Sequence, residues 1–193
     1  MTIRKFVLAA TAMGLLSGPA LAQDNEYADA LNEIANGQLR TIAENPALVA
    51  AIKAQNAETA GYDAAKIEEL DQQWRAEVDA GSKPLIDEVM GTEASQMLMA
   101  EQESAEGLFS EMFATDAMGL NVAQSTITSD YWQGDEEKFT ETYSVGPDAI
   151  YLGEIEQDES TQTYQSQVSI TIVDPDSGEP IGSITAGVDL SML

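Results

Sequence analysis

Two large aromatic residues, Tyr131 and Trp132, stand side by side in a polar stretch, Ser125 to Asp135, flanked by Asp130 and Asp135. An apolar body with a polar tip suits two jobs. It can form a lid that covers a ligand and offers it a hydrogen bond, or an anchor that fastens a loop to the core. The residues alone leave both open. Tyr143 and Tyr151 flank the entry to the next apolar run, where they either line the same cavity or do plain strand packing. Asp189 ends the apolar run Ile184 to Val188. It is either an inward acid for a cationic or hydroxylated ligand, or an exposed strand-end carboxylate. The candidate ligand contacts are therefore Asp130, Tyr131, Trp132, Tyr143, Tyr151 and Asp189.

Catalysis has few footholds. The 193 residues contain no histidine and no cysteine. This excludes a Ser-His-Asp triad, a thiol nucleophile, an imidazole or thiolate zinc site and any disulfide. There is no G-x-S-x-G, no phosphate-binding glycine loop and no S-x-x-K pair. Thirty-four acids guarantee accidental carboxylate pairs, and nothing singles one out for acid–base work. The run Asp174-Pro-Asp-Ser-Gly-Glu179, and Asp130 with Asp135, offer hard oxygens, yet neither has the spacing of a calcium loop, and a hairpin turn accounts for the first. The expectation is a non-enzyme with no metal and no cofactor. Against those 34 acids stand 8 bases, a net charge of −26 that repels phosphate backbones and anionic membranes, so nucleic acid is excluded as a partner. At 44% hydrophobic, the chain still has the material for a core.

The elements that must hold these residues fall into three parts. Residues 1–22 carry a basic start (Arg4, Lys5), a short apolar run and Ala20-Leu21-Ala22, the three parts of a cleaved signal peptide. Cleavage near Ala22 removes two of the eight bases and no acid, and it predicts a periplasmic or secreted product that is not embedded in a membrane. Residues 23–106 read as helices. Leu31, Ile34 and Ile42 recur at helical spacing, Asn45-Pro46 interrupts, and Ile67, Leu70, Trp74 and Val78 form one stripe. Gly81 to Pro84 breaks it, and further helical stretches cover Leu85 to Val89 and Glu93 to Glu103. Residues 107–193 read as five strands, 108–115, 120–124, 149–156, 163–173 and 180–190, with a short helix over 136–143. Most remaining acids, having so few bases to pair with, are expected to be solvated. Long helices before an antiparallel sheet make an α+β fold, with 23–106 and 107–193 as one folding unit.

Phe113 to Leu190 resembles the extracytoplasmic Cache (PAS-like, PDC) sensor domains. The matching residues are Phe113-Ala-Thr-Asp-Ala-Met-Gly-Leu-Asn-Val-Ala123, the loop Thr128-Ser-Asp-Tyr-Trp-Gln-Gly-Asp-Glu136, and the closing strands Val173-Asp-Pro175 with Gly178 and Ile181 to Leu190. The helical half is similar to what such domains place before the sheet. The resemblance implies a five-stranded antiparallel sheet with helices on one face. It puts a ligand pocket on the other face, beneath the loop and short helix before the third strand. In amino-acid-binding members, aromatics and an arginine of that covering segment hold the ligand carboxylate, and an aspartate ending the last strand holds its amine. Tyr131, Trp132 and Asp189 match. The arginine is missing, since none follows Arg75 and the nearest cation is Lys138. A carboxylate would lose its bidentate partner, so the expected ligand is neutral or cationic, such as an amine. The reading is an exported small-molecule-binding module that presents its ligand to a membrane receptor or scavenges it. The competing reading is a non-enzymatic interaction protein with a filled pocket, its helical stripes serving docking or a homodimer.

Overall fold

A computed structural model describes residues 26–157 and 163–193; the expected signal peptide, 1–22, lies outside them. The N-terminal helix is one rod of three parts, α1 (Ala28–Ile34), a π-helical turn (Ala35–Leu39) and α2 (Arg40–Ala43). Then come α3 (Pro46–Thr59), α4 (Ala64–Val78), α5 (Pro84–Met90) and α6 (Glu93–Ser104). Each start follows from local chemistry. Asn45 accepts the Ala47 N–H with Pro46 in the first turn of α3, Asp63 accepts from Lys66, and Thr92 accepts from Ser95. Such caps contribute about 1 kcal/mol each.

The strands are β1 (Phe109–Thr115), β2 (Asn121–Gln124), β3 (Ile150–Leu152), β4 (Glu156–Gln157), β5 (Tyr164–Val173) and β6 (Pro180–Asp189), with α7 (Glu137–Thr140) between β2 and β3. They form one antiparallel sheet in the order β2-β1-β6-β5-β3, with β4 also on β5. The fold is α+β, long helices on an antiparallel sheet, as the periodicity predicts. Two boundaries differ. The run expected as one strand over 149–156 is split after Leu152, where Gly153 bonds its backbone to Gln167 and receives the Ser166 hydroxyl. The helix expected over 136–143 keeps only four residues as α-helix.

Alternation along the strands decides which face meets the helices. Val168, Ile170, Ile172, Ile184, Ala186 and Val188, with Met112 and Ala114, share one core with Leu31, Leu39, Leu48, Ile52 and Leu98. The intervening residues, Ser169, Thr171, Ser183 and Thr185, are left to the opposite face. A second core joins Ile67, Trp74, Ile86 and Val89 to Leu120 and Tyr131.

Between β1 and β2 the chain turns through Asp116 to Gly119. Gly119 has φ +81°, and a Cβ there would strike the backbone of Gly134. Asp116 is fully buried. One carboxylate oxygen accepts the N–H groups of Met118 and Leu120, both at 2.9 Å. The other accepts Thr59 Oγ1 at 2.9 Å and Gln55 Nε2 at 3.1 Å. The turn is thereby nailed to α3. Asp116→Ala removes the acceptor of four donors, of which Thr59 and Gln55 keep backbone carbonyls as alternatives, and is expected to cost about 3 kcal/mol in urea unfolding, with Asp116→Asn costing about half. A loss below about 1 kcal/mol for the alanine variant would contradict the assignment.

Candidate functional site

The face turned away from the helices carries hydroxyls in cross-strand rows. Phe113 of β1 pairs with Thr185 of β6, Thr185 with Ser169 of β5, and Ser169 with Tyr151 of β3. The next row is Thr115, Ser183 and Thr171, and on the other side Glu111, Gly187 and Gln167. Thr115, Ser169, Thr171, Ser183 and Thr185 are all buried, none above 2% exposed. Two pairs satisfy each other, Thr115 with Ser183 at 2.8 Å and Ser169 with Thr185 at 2.9 Å. Gln167 Nε2 donates to Glu111 at 3.0 Å across the flanking row.

The cover over this face is the segment from Ser125 to Ala149 that carries α7. Lys138 reaches down from α7 until its amine lies 5.4 Å from the centre of the Phe113 ring, a cation–π distance. The same amine pairs with Glu136 at 2.7 Å and donates to Gln133 Oε1 at 3.4 Å. At the edge, the Tyr151 hydroxyl donates to Glu137 of α7 at 2.7 Å. Phe139 and Tyr143 stack at 5.1 Å within the cover. One lysine is thus placed over a hydroxyl wall, its charge already balanced by Glu136.

The cover is held from outside by α4. Asp71 accepts the N–H groups of Tyr131 at 2.9 Å and Trp132 at 3.1 Å. Arg75, one turn on, joins Asp71 at 2.7 Å to Asp130 at 3.2 Å. Trp74 donates its indole N–H to Thr128 O at 2.9 Å. Glu77, also buried, accepts from Leu85 and Ile86 and so starts α5. Three acids stand apart from the solvated majority expected, because Asp71, Glu77 and Asp116 accept backbone N–H donors.

The six residues singled out from sequence are therefore dispersed. Tyr131 is buried in the second core, stacked on Trp74 at 5.3 Å, and burial pushes its hydroxyl pKa well above the ordinary tyrosine range. Trp132 donates to Met118 O at 2.9 Å and lies so close to Gly134 that any side chain there would collide with the indole. Asp130 is engaged by Arg75 and by Gln133 Nε2. Asp189 accepts from Ser191 N and Oγ, capping a final 3-10 turn, Leu190–Met192. Tyr143 sits in the cover. Tyr151 belongs to the central row of the wall, and Asp189, two residues beyond Gly187, lies at the end of the same sheet face. Sequence reasoning missed the wall, although its signal was present as Ser-Ile-Thr repeated at 169–171 and 183–185. It noted Lys138 only as the nearest cation.

Chemically, the wall can bind through hydrogen bonds, and with no histidine in the chain no base of that kind activates its hydroxyls. Among the described residues, no group of three acids is placed to hold a metal ion. No described helix is long and apolar enough to cross a membrane. Elsewhere, a groove of about 440 Å³ lies between α3 and the β5–β6 hairpin, lined by Glu44, Pro46, Val49, Ala50, Lys53 and Pro175.

Among solved structures, the chain is similar to the Vibrio cholerae histidine kinase DctB sensor domain, at 13% identity and TM-score 0.46, over 86% of this chain and 58% of that one. It is similar to the ligand-binding domain of the Pseudomonas aeruginosa amino acid chemoreceptor PctC in complex with GABA, at 14% and 0.41, over 83% and 62%. The ligand-binding domain of the Campylobacter jejuni chemoreceptor Tlp3 in complex with 4-methylisoleucine matches at 11% and 0.39, over 82% and 62%. The chain thus spans about three fifths of their length. No family model matches it, and no curated protein does. These neighbours are sensor and ligand-binding domains; at such scores the likeness carries no ligand, partner or activity to this chain.

Burial, then the bond to Glu137, pushes the Tyr151 hydroxyl up to about 12 from an ordinary 10.0. A folded-state pKa raised above the unfolded one contributes stability that is complete below pH 10 and lost as pH rises through 12. In an ultraviolet titration of tyrosinate, Tyr151→Phe is expected to remove amplitude from that late phase. Loss from the phase near 10 instead would place Tyr151 in water.

Proposed function

We propose that this chain is an exported, sensor-type module of the Cache kind that binds a small molecule without transforming it. The ligand lies on the hydroxyl wall beneath the cover. The observation that supports this is the wall itself, five buried hydroxyls sealed under a segment that also brings in a paired lysine. A purely structural layer at this position is served more cheaply by apolar packing, because each buried polar group must keep a partner. Tyr151 and Tyr143 are the proposed aromatic contacts from strand and cover. Tyr131, Trp132 and Asp130 act by fixing the cover to α4, and Asp189 by closing the end of β6. Since Glu136 already balances Lys138, an anion has to displace a carboxylate to reach that amine. A neutral or cationic ligand does not. Delivery of the ligand to a membrane receptor, periplasmic or secreted location and a homodimer belong to the same proposal.

The opposing reading, a filled pocket in an interaction protein, draws on the Lys138 amine lying over Phe113. Thermal-shift screening of the mature protein against amines, polyols and carboxylates separates the two. A ligand at a hundred times its Kd stabilises by about 2.7 kcal/mol, which raises Tm by roughly 5–10 °C in a domain of this size. A shift of that order for one class supports binding. A flat response to all three classes supports the filled pocket.

A further inference from the structure

The hydroxyl of Thr171 has no hydrogen-bond partner among the described residues, although the residue is 0% exposed. A buried polar group without a partner costs about 1–3 kcal/mol, so its persistence calls for a physical reason. Its placement supplies one. Thr171 alternates with Ile170 and Ile172, which face the helices, so its side chain is on the hydroxyl wall. It is the neighbour of Ser183 in the sheet, and Ser183 is already engaged by Thr115. The strand is also fixed at this point, since Arg40 of the N-terminal rod donates to the Thr171 carbonyl at 3.1 Å. The residue cannot turn over without breaking that bond. An unmatched hydroxyl is therefore held on this face of the sheet.

The remaining groups of the wall define what fits. In the pairs Thr115–Ser183 and Ser169–Thr185 either oxygen can be the donor, so each pair keeps one hydroxyl proton free to turn toward a third group and lone pairs to accept from one. Of the charged groups nearby, Lys138 is matched by Glu136, whereas Glu111 and Glu137 are hydrogen-bonded by the neutral Gln167 and Tyr151 and keep their negative charge. Lys138, being paired, is not free to balance an anionic ligand. A surface that donates and accepts at several adjacent points, with its lysine already paired, is complementary to adjacent hydroxyl groups, which also do both.

From this we infer that the wall takes a small polyhydroxylated molecule that carries no negative charge, one of whose hydroxyls completes Thr171. This rests on the binding reading above and narrows it to a ligand class. Isothermal titration of the mature protein with glycerol, erythritol and myo-inositol, with putrescine and succinate alongside, tests it in wild type and Thr171→Val. Valine keeps the shape and removes the orphan oxygen, so the unliganded variant is expected to melt at or above the wild-type temperature. At least one polyol is expected to bind wild type and to bind the variant about tenfold more weakly, the equivalent of one hydrogen bond of about 1.4 kcal/mol. A variant that melts lower shows that the hydroxyl is already satisfied inside the fold, and this overturns the inference. So does equal polyol affinity in both proteins. Binding of putrescine or succinate in place of the polyols overturns the class but leaves the binding reading intact. Silence from the whole panel removes both.

Discussion

The architecture depends on three carboxylates that accept backbone N–H groups, and of these Asp71 also pairs with Arg75. A chain with 34 acids and 8 bases cannot pair its charges one to one, and a buried acid without donors is costly. Asp116, Asp71 and Glu77 resolve this by accepting main-chain amides. Each one ties a loop to a helix: the β1–β2 turn to α3, the Tyr131-Trp132 segment to α4, and the start of α5 to the end of α4. Charge-assisted hydrogen bonds of this kind are about twice as strong as neutral ones, so they suit a protein that must position loops without disulfides.

Those ties explain why the hydroxyl wall is covered. The helices occupy one face of the sheet and leave the other to loops. The segment after β2 crosses it because Asp71, Arg75 and Trp74 hold its first part on α4, and α7 then comes to lie over β3 and β5. Once there, Lys138 stands over Phe113 and Glu137 takes the Tyr151 hydroxyl. Tyr131 and Trp132, which look like a lid in the sequence, are bound to Asp71 of α4 and, through the indole, to Met118 of the β1–β2 turn.

Much of the fold was legible, and the reasons are local. The stripe Ile67, Leu70, Trp74, Val78 marked α4 because helical spacing is unambiguous over about three turns. Asp174 to Glu179 marked the β5–β6 hairpin through its turn formers. The interruption at Gly153 was not legible, since it arises from a backbone contact with Gln167 of another strand. The site was legible only in outline. Tyr131 and Trp132 drew attention by size, but a single sequence does not reveal that Trp74, far away in the chain, already claims Tyr131. The paired Ser-Ile-Thr motifs were visible, yet reading them as a wall needed the register that places Ser169 against Thr185.

The central claim, that the covered wall is a binding site and not a sealed layer, is tested most directly on protein purified from its own host. Native mass spectrometry should show the mature chain together with a species heavier by one small molecule, and mild activation should release that molecule and leave the bare chain. A spectrum containing only the bare polypeptide under conditions that preserve its fold would contradict the account.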